Sequence, residues 1–231
     1  MNYITEGFFQ AIGLILSMDE ETWQAVGVTV RLTVMSMAAT LSVGLPLGFL
    51  LGYFDFPGKR GAHMVVDTLL ALPTVVVGLV VYAFISNRGP LGDLRLLFTI
   101  RGMAIGQTIL ALPIVIALTA NAVECLDGRL RMTLATLGAG GWRMAATSLR
   151  ECRFALMAAA VTAYGRVVAE VGVSMMLGGN IKWHTRTITT AITLETGKGD
   201  FALGIALGIL LLAISFALNA GLSFLKRRAD A

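Results

Sequence analysis

The sequence predicts an all-α polytopic membrane protein with about five transmembrane helices. Three observations carry that reading. Of the 231 residues, 56% are hydrophobic and 14% are charged, with a mean hydropathy of +0.79; a soluble domain holds about 45–50% apolar and about 25% charged residues. The apolar residues fall in runs long enough to cross a hydrocarbon core about 30 Å thick, which takes roughly 20 helical residues. Polar stretches separate these runs, and the most basic of them carries Arg129, Arg131, Arg143, Arg150 and Arg153, so it stays out of hydrocarbon. The net charge of +4 and pI near 9.4 fit retention of Lys and Arg on the cytoplasmic side better than a nucleic-acid surface, and no nucleic-acid partner is expected.

Residues 1–20 place Ile4, Phe8, Ile12 and Ile15 on one helical face, in a run too short to span. The start holds Glu6 and no Lys or Arg, and Asp19-Glu20-Glu21 follows, which argues against a secretory signal. An amphipathic helix lying in the interface is expected. The first span is residues 25–53. Arg31 sits near its start, where the side chain either snorkels to the head groups or attracts an anion. Gly44 and Pro46 are placed to bend its second half.

A short turn at 55–62 contains Pro57, Gly58, Lys59 and Arg60, and a second span covers 63–86, with Asp67 near its start. A polar connection at 87–102 leads to the third span, 103–126. Residues 68–76 and 108–116 are near copies, which is too little to establish a repeat. Each copy puts a proline, Pro73 or Pro113, near mid-membrane, where it frees a carbonyl and favours a kink.

The basic loop, 127–153, has helical spacing on both sides of a glycine break at Gly138, Gly140 and Gly141. A loop built as two short helices is there to touch something. The fourth span, 154–177, is rich in small residues (Ala158, Ala159, Ala160, Ala163, Gly165, Ala169, Gly172) that let helices approach closely in lipid. A second long polar loop at 178–200 carries Lys182, Trp183, His184 and Arg186. The fifth span is 201–225, and Lys226-Arg227-Arg228 opens a tail at 226–231. Residues 25–225 form one transmembrane domain.

Orientation follows from the basic residues. With the carboxy terminus in the cytoplasm, the inside holds Lys59, Arg60, the five loop arginines, Lys226, Arg227 and Arg228, which is ten. The outside holds Arg88, Arg95, Arg101, Lys182, Arg186 and Lys198, which is six. Five spans then put the amino terminus outside.

Cys125 and Cys152 make no disulfide framework, and His63 and His184 make no zinc pair; both cysteines are expected to be reduced and structural. Arg166 and Glu170, four residues apart, share a helix face and pair. The pair is either a structural salt bridge or a lining of a polar solute's route near an outer gate. No nucleophile–base set, histidine pair or matched carboxylates emerge, so an enzyme is not expected. No Gly-Lys-Ser/Thr follows the glycines of the basic loop, so the chain is expected to hold no nucleotide or other cofactor. Energised transport would then draw its energy from a partner.

The stretch Thr136-Leu-Gly-Ala-Gly-Gly-Trp-Arg143 resembles the cytoplasmic loop of permease subunits of ABC importers, with Gly138 matching the family glycine. Met132, Thr133 and Leu134 stand where Glu-Ala-Ala is usual, and Arg150-Glu151 near a usual Leu-Pro. Residues 28–51 and 67–78 are similar to the first core helices of such permeases. Residues 169–180 resemble the outer gate segment of molybdate-type permeases, and alternating threonines at 185–192 continue the likeness. Within this group the sequence is most similar to tungstate-uptake permeases.

The resemblance implies a type I ABC importer permease fold in the bacterial inner membrane and a homodimer. Its partners would be two cytoplasmic ATP-binding subunits and an extracytoplasmic oxyanion-binding protein. Tungstate is the implied solute, with molybdate or sulfate as alternatives. It makes Thr133, Leu134, Ala135, Thr136, Leu137, Gly138, Ala139, Gly140, Gly141, Trp142 and Arg143 the ATPase-coupling residues. Thr74, Arg166, Glu170, Met175, Met176 and Asn180 become the pathway and gate residues. An ion-coupled secondary transporter accommodates Arg166 and Glu170 but leaves the two-helix basic loop unexplained. An intramembrane enzyme would need a convergent catalytic set.

Overall fold

The computed structural model describes residues 3–126, 132–134 and 136–229. Ten α-helices are assigned among them: α1 Tyr3–Leu16, α2 Glu20–Tyr53, α3 Lys59–Leu70, α4 Thr74–Ile85, α5 Ile100–Glu124, α6 Gly141–Glu151, α7 Arg153–Val168, α8 Gly172–Gly178, α9 Ile188–Lys198 and α10 Phe201–Ala229. A short 3-10 turn, Gly92–Leu94, precedes α5, and no strand occurs among the described residues. Helices α2, α5 and α10 are each long and apolar enough to cross a membrane, and counting each bent helix pair as one span brings the total to five.

Helix α2 begins earlier than the expected span. The Asp19 carboxylate accepts the Thr22 N–H at 2.9 Å, and Glu20 and Glu21 occupy the first turn, where acidic side chains favour the helix dipole. The acidic run is therefore a helix cap. Helix α2 runs unbroken through Pro46. Gly44 faces α5 with Gly48 and Gly52, so that a Cβ on Gly48 would lie 2.6 Å from Thr119 Cβ and one on Gly52 2.5 Å from the Ala120 carbonyl. Small residues let helices meet on α2 and, as expected, on the fourth span, where Ala159 and Ala163 are buried and Gly172 meets α4, whereas Gly165 faces open space.

The second and fourth spans are broken; Pro73 is the expected kink of the second, whereas the break in the fourth is not read from the sequence. Helices α3 and α4 meet at 99° and α7 and α8 at 58°. Pro73 precedes the first helical residue of α4, whereas Pro113 sits inside an uninterrupted α5. The near copies diverge because their surroundings differ. Helix α5 packs against α2 and α7, which holds it as one helix. Helix α3 buries none of its residues, so nothing enforces continuity across Pro73. Lys59 at its start donates to Glu124 at the carboxy-terminal end of α5, at 2.9 Å.

Residues 188–198, read as part of a polar loop, form α9, whose start is a capping box between Thr187 and Thr190. Leu32, Val77, Val81, Ile85, Met103 and Leu177 form the main core cluster, joining α2, α4, α5 and α8. A second cluster joins α2, α9 and α10 through Ala25, Ile188 and Leu207. Helix α1 lies against α10.

Candidate functional site

The two broken spans meet at their breaks. Thr74 opens α4 and Gly172 opens α8. A Cβ on Gly172 would stand 3.1 Å from Thr74 Oγ1 and 3.4 Å from Glu170 Oε1. The helices then run side by side, and a Cβ on Gly78 would meet Met176 Sδ at 3.0 Å. Thr74, Glu170 and Met176 are thus brought together. Met175 is half-buried on the same short helix.

Arg166 and Glu170 pair as expected, at 3.1 Å between Nη1 and Oε2, but not on one continuous helix. Helix α7 ends at Val168, and Glu170 lies in the break, where its other oxygen accepts the Val173 N–H at 3.1 Å. The carboxylate therefore starts α8 and holds the cation at once. It is 2% exposed, whereas the Arg166 side chain is 41% exposed. An anion approaching this break would meet an open guanidinium, with the carboxylate behind it. Asn180, at φ 50°, follows the left-handed Gly179 that ends α8. Its amide donates to the Thr190 carbonyl at 3.3 Å, so Asn180 ties the end of the segment to α9 rather than facing Thr74.

Gln107, which the sequence reading missed, and the threonines of 185–192, which it joined to the gate likeness, complete the site. Gln107, 2% exposed in α5, accepts from Ser36 of α2 at 3.2 Å and donates to Ser174 of α8 at 3.2 Å. A lone amide inside an apolar span was its signal. Thr185, Thr187, Thr189 and Thr190 are buried and hydrogen-bonded inward. Thr189 donates to the Glu170 carbonyl at 3.0 Å, Thr185 donates to the Gly178 carbonyl, and the Ile188 N–H donates to Thr29 of α2 at 2.9 Å.

The basic loop lies at the far end of the bundle. Ala135, and Arg129 and Arg131 within residues 127–131, fall outside the described residues. Thr133, Leu134 and Thr136 are helical. Gly138 has φ 71°, the Leu137 N–H bonds the Thr133 carbonyl, and the Ala139 N–H bonds the Leu134 carbonyl at 2.9 Å. That six-to-one bond around a left-handed glycine is a Schellman stop. Ala139 and Gly140 lead into α6, which Gly141 opens. Leu137 and Trp142 are 76% and 84% exposed, and Arg143 is exposed beside them. Large apolar side chains standing free on a basic, non-spanning loop mark a surface for another molecule.

The inner side of α6 is anchored. Ala145 packs against the cluster of Tyr53, Val123 and Cys152, which joins the carboxy-terminal ends of α2 and α5 to the start of α7. Burial pushes the Cys152 thiol above its ordinary value, with Glu151 adding to the effect, and the thiol donates to the Ala122 carbonyl at 3.3 Å. The loop therefore rests on the unbroken helices α2 and α5 and on α7, the first half of one broken span.

The family described as "Binding-protein-dependent transport system inner membrane component" matches residues 44–231. The chain is 49% identical over 227 residues to the tungstate uptake system permease protein TupB of Campylobacter jejuni, covering 98% of this chain and 95% of that protein. It is 39% identical over 220 residues to TupB of Peptoclostridium acidaminophilum, covering 95% and 96%. Among solved structures, a chain of the MetNI methionine ABC transporter in inward-facing conformations superposes with a TM-score of 0.75 at 17% identity, covering 92% of this chain and 97% of that one; this is a likeness of fold.

Proposed function

Since the chain belongs to the binding-protein-dependent transport system inner membrane component family, we propose that it is the membrane-spanning subunit of an ATP-driven importer that carries tungstate from a solute-binding protein into the cytoplasm. The observation that carries the solute is the 49% identity to a tungstate uptake permease across nearly the whole of both chains. The chain works as a homodimer in the inner membrane, with the amino terminus outside and the carboxy terminus inside. Two cytoplasmic subunits bind and hydrolyse the ATP, and this chain is not itself an enzyme and holds no cofactor.

The site supports a division of labour. The exposed Leu137, Trp142 and Arg143 seat in a groove on the ATPase subunit, and the left-handed Gly138 fixes the angle between the two short helices. Closure of the ATPase dimer moves α6, and the cluster around Cys152 passes the motion to α2, α5 and α7. At the outer end, α8 slides on α4 at Met176 and Thr74. The open face of Arg166 attracts a divalent oxyanion, while Glu170 keeps the guanidinium in place. Selectivity resides mainly in the binding protein.

Calorimetry of the partner binding protein with tungstate, molybdate and sulfate tests the solute. Tungstate is expected to bind at least tenfold more tightly than the other two, about 1.4 kcal/mol. Equal or tighter binding of molybdate or sulfate would assign the transporter to that anion.

A further inference from the structure

Five charged side chains gather at the outer ends of three elements that the mechanism above leaves unused. Glu21, in the first turn of α2, takes Lys182 at 2.6 Å and also takes Arg186. Arg186 stands 3.8 Å from Glu195 of α9, which takes Lys198 at 2.9 Å. Lys182 and Arg186 belong to the loop that leaves the end of α8, 161 and 165 residues from Glu21 in sequence. Arg186 is 7% exposed. The cluster is therefore a cross-link between the helix with the longest packed contact in the fold and the loop attached to the gate segment.

It is not a receptor for the incoming anion. Each of its cations is committed to a carboxylate, and an anion entering there would meet Glu21 and Glu195. Its geometry fits restraint. The loop is bonded to α8 through Thr185 and the Gly178 carbonyl, and to α9 through Asn180 and Thr190. A displacement of α8 along α4 therefore pulls directly on Lys182 and Arg186. Lys182 and Lys198 are half-exposed and hold weakly, but Arg186 between Glu21 and Glu195 is buried, and parting it from Glu21 leaves a desolvated charge behind, which favours two discrete arrangements over a continuum.

We propose that Glu21, with Lys182 and Arg186, is a latch that holds the outer gate segment shut and must release for transport. The proposal rests on reading α8 and its flanks as the gate. The test uses the full complex with its ATPase subunits, reconstituted in lipid, with Cys125 and Cys152 replaced by serine. One variant carries Glu21→Cys with Lys182→Cys, joined by a short reducible bis-methanethiosulfonate linker. A second carries Thr74→Cys with Gly172→Cys, oxidised to fix α8 on α4.

ATP hydrolysis stimulated by loaded binding protein is expected to fall at least fivefold in both and to return on reduction. If the gate lock blocks and the latch lock does not, the latch is a static strut and the proposal is overturned while the gate reading stands. If neither lock blocks, the gate reading fails and the proposal with it. Should the cysteine pair be inactive even when reduced, Glu21→Gln decides. A latch raises ATP hydrolysis without binding protein severalfold, and unchanged or lower unstimulated hydrolysis overturns it.

Discussion

Glu170 does two jobs with one carboxylate, and that predicts an asymmetry between variants. Glu170→Gln keeps an oxygen for the Val173 N–H and leaves Arg166 half in solvent. Arg166→Ala strands a carboxylate that is 2% exposed. Removing one partner of a buried pair costs about 3–5 kcal/mol when the survivor is buried. Arg166→Ala is therefore expected to lower the thermal midpoint in detergent more than Glu170→Gln, and the double variant to lie near Glu170→Gln. Equal losses would mean that the carboxylate is not dependent on Arg166.

Gly138 is the second residue with a directional prediction. Its φ of 71° costs a residue with a Cβ about 1–2 kcal/mol, although a Cβ there would meet open space. Gly138→Val should insert normally yet lose most of the stimulation of ATP hydrolysis by loaded binding protein. Undiminished stimulation would remove this turn from the coupling pathway. At this scale much was legible. The glycine, the exposed Trp142 and the Arg166–Glu170 spacing are all visible in the chain. Gln107 showed only as a lone amide in an apolar span; its partners and the Glu21–Arg186 pair did not show, because they lie tens to hundreds of residues apart and no spacing rule reaches that far.

Among the elements, the informative contrast is between Pro73 and Pro113. Both sit in the same short word of sequence, yet one begins a new helix after a 99° break and the other lies inside an uninterrupted one. Local propensity makes a kink available, and packing decides whether it is used. The same holds for α9, where a threonine-rich run read as polar loop becomes a buried helix once its hydroxyls find the Glu170 carbonyl and one another. Small residues were legible as a signal for close packing, but the helix that uses them most closely is α2. Gly48→Ala would place a Cβ 2.6 Å from Thr119 Cβ and 2.7 Å from the Ile116 carbonyl. Overpacking of that kind costs about 1–3 kcal/mol, so a lower thermal midpoint is expected, with Gly48→Leu failing to yield stable protein. Gly165→Ala, facing open space, is the control that should change little.

For the whole molecule, the charge count leads to the expectation that the basic loop lies inside, and three unbroken helices with two bent pairs allow the five spans read from the sequence. Sidedness has a direct readout in the two cysteines. Cys125 is exposed at the end of α5 that leads into the basic loop, and Cys152 is buried with its thiol pushed up by desolvation. A thiol whose value is raised stays protonated to higher pH, and the protonated form is unreactive. A membrane-impermeant maleimide at neutral pH should label Cys125 in inverted vesicles and not in intact spheroplasts. Cys152 should stay silent in both until the protein is denatured. Labelling from outside would reverse the orientation and move the basic loop away from any cytoplasmic partner.

The central claim is that this chain carries its solute only when a partner spends ATP on it. The measurement that meets it most directly is uptake of radioactive tungstate into liposomes that hold the permease alone or with its ATPase subunits, with loaded binding protein outside and ATP sealed within. The expected result is accumulation only in the complete system, abolished when ATP is replaced by a non-hydrolysable analogue. Accumulation by the permease alone, driven by an ion gradient, would contradict the account.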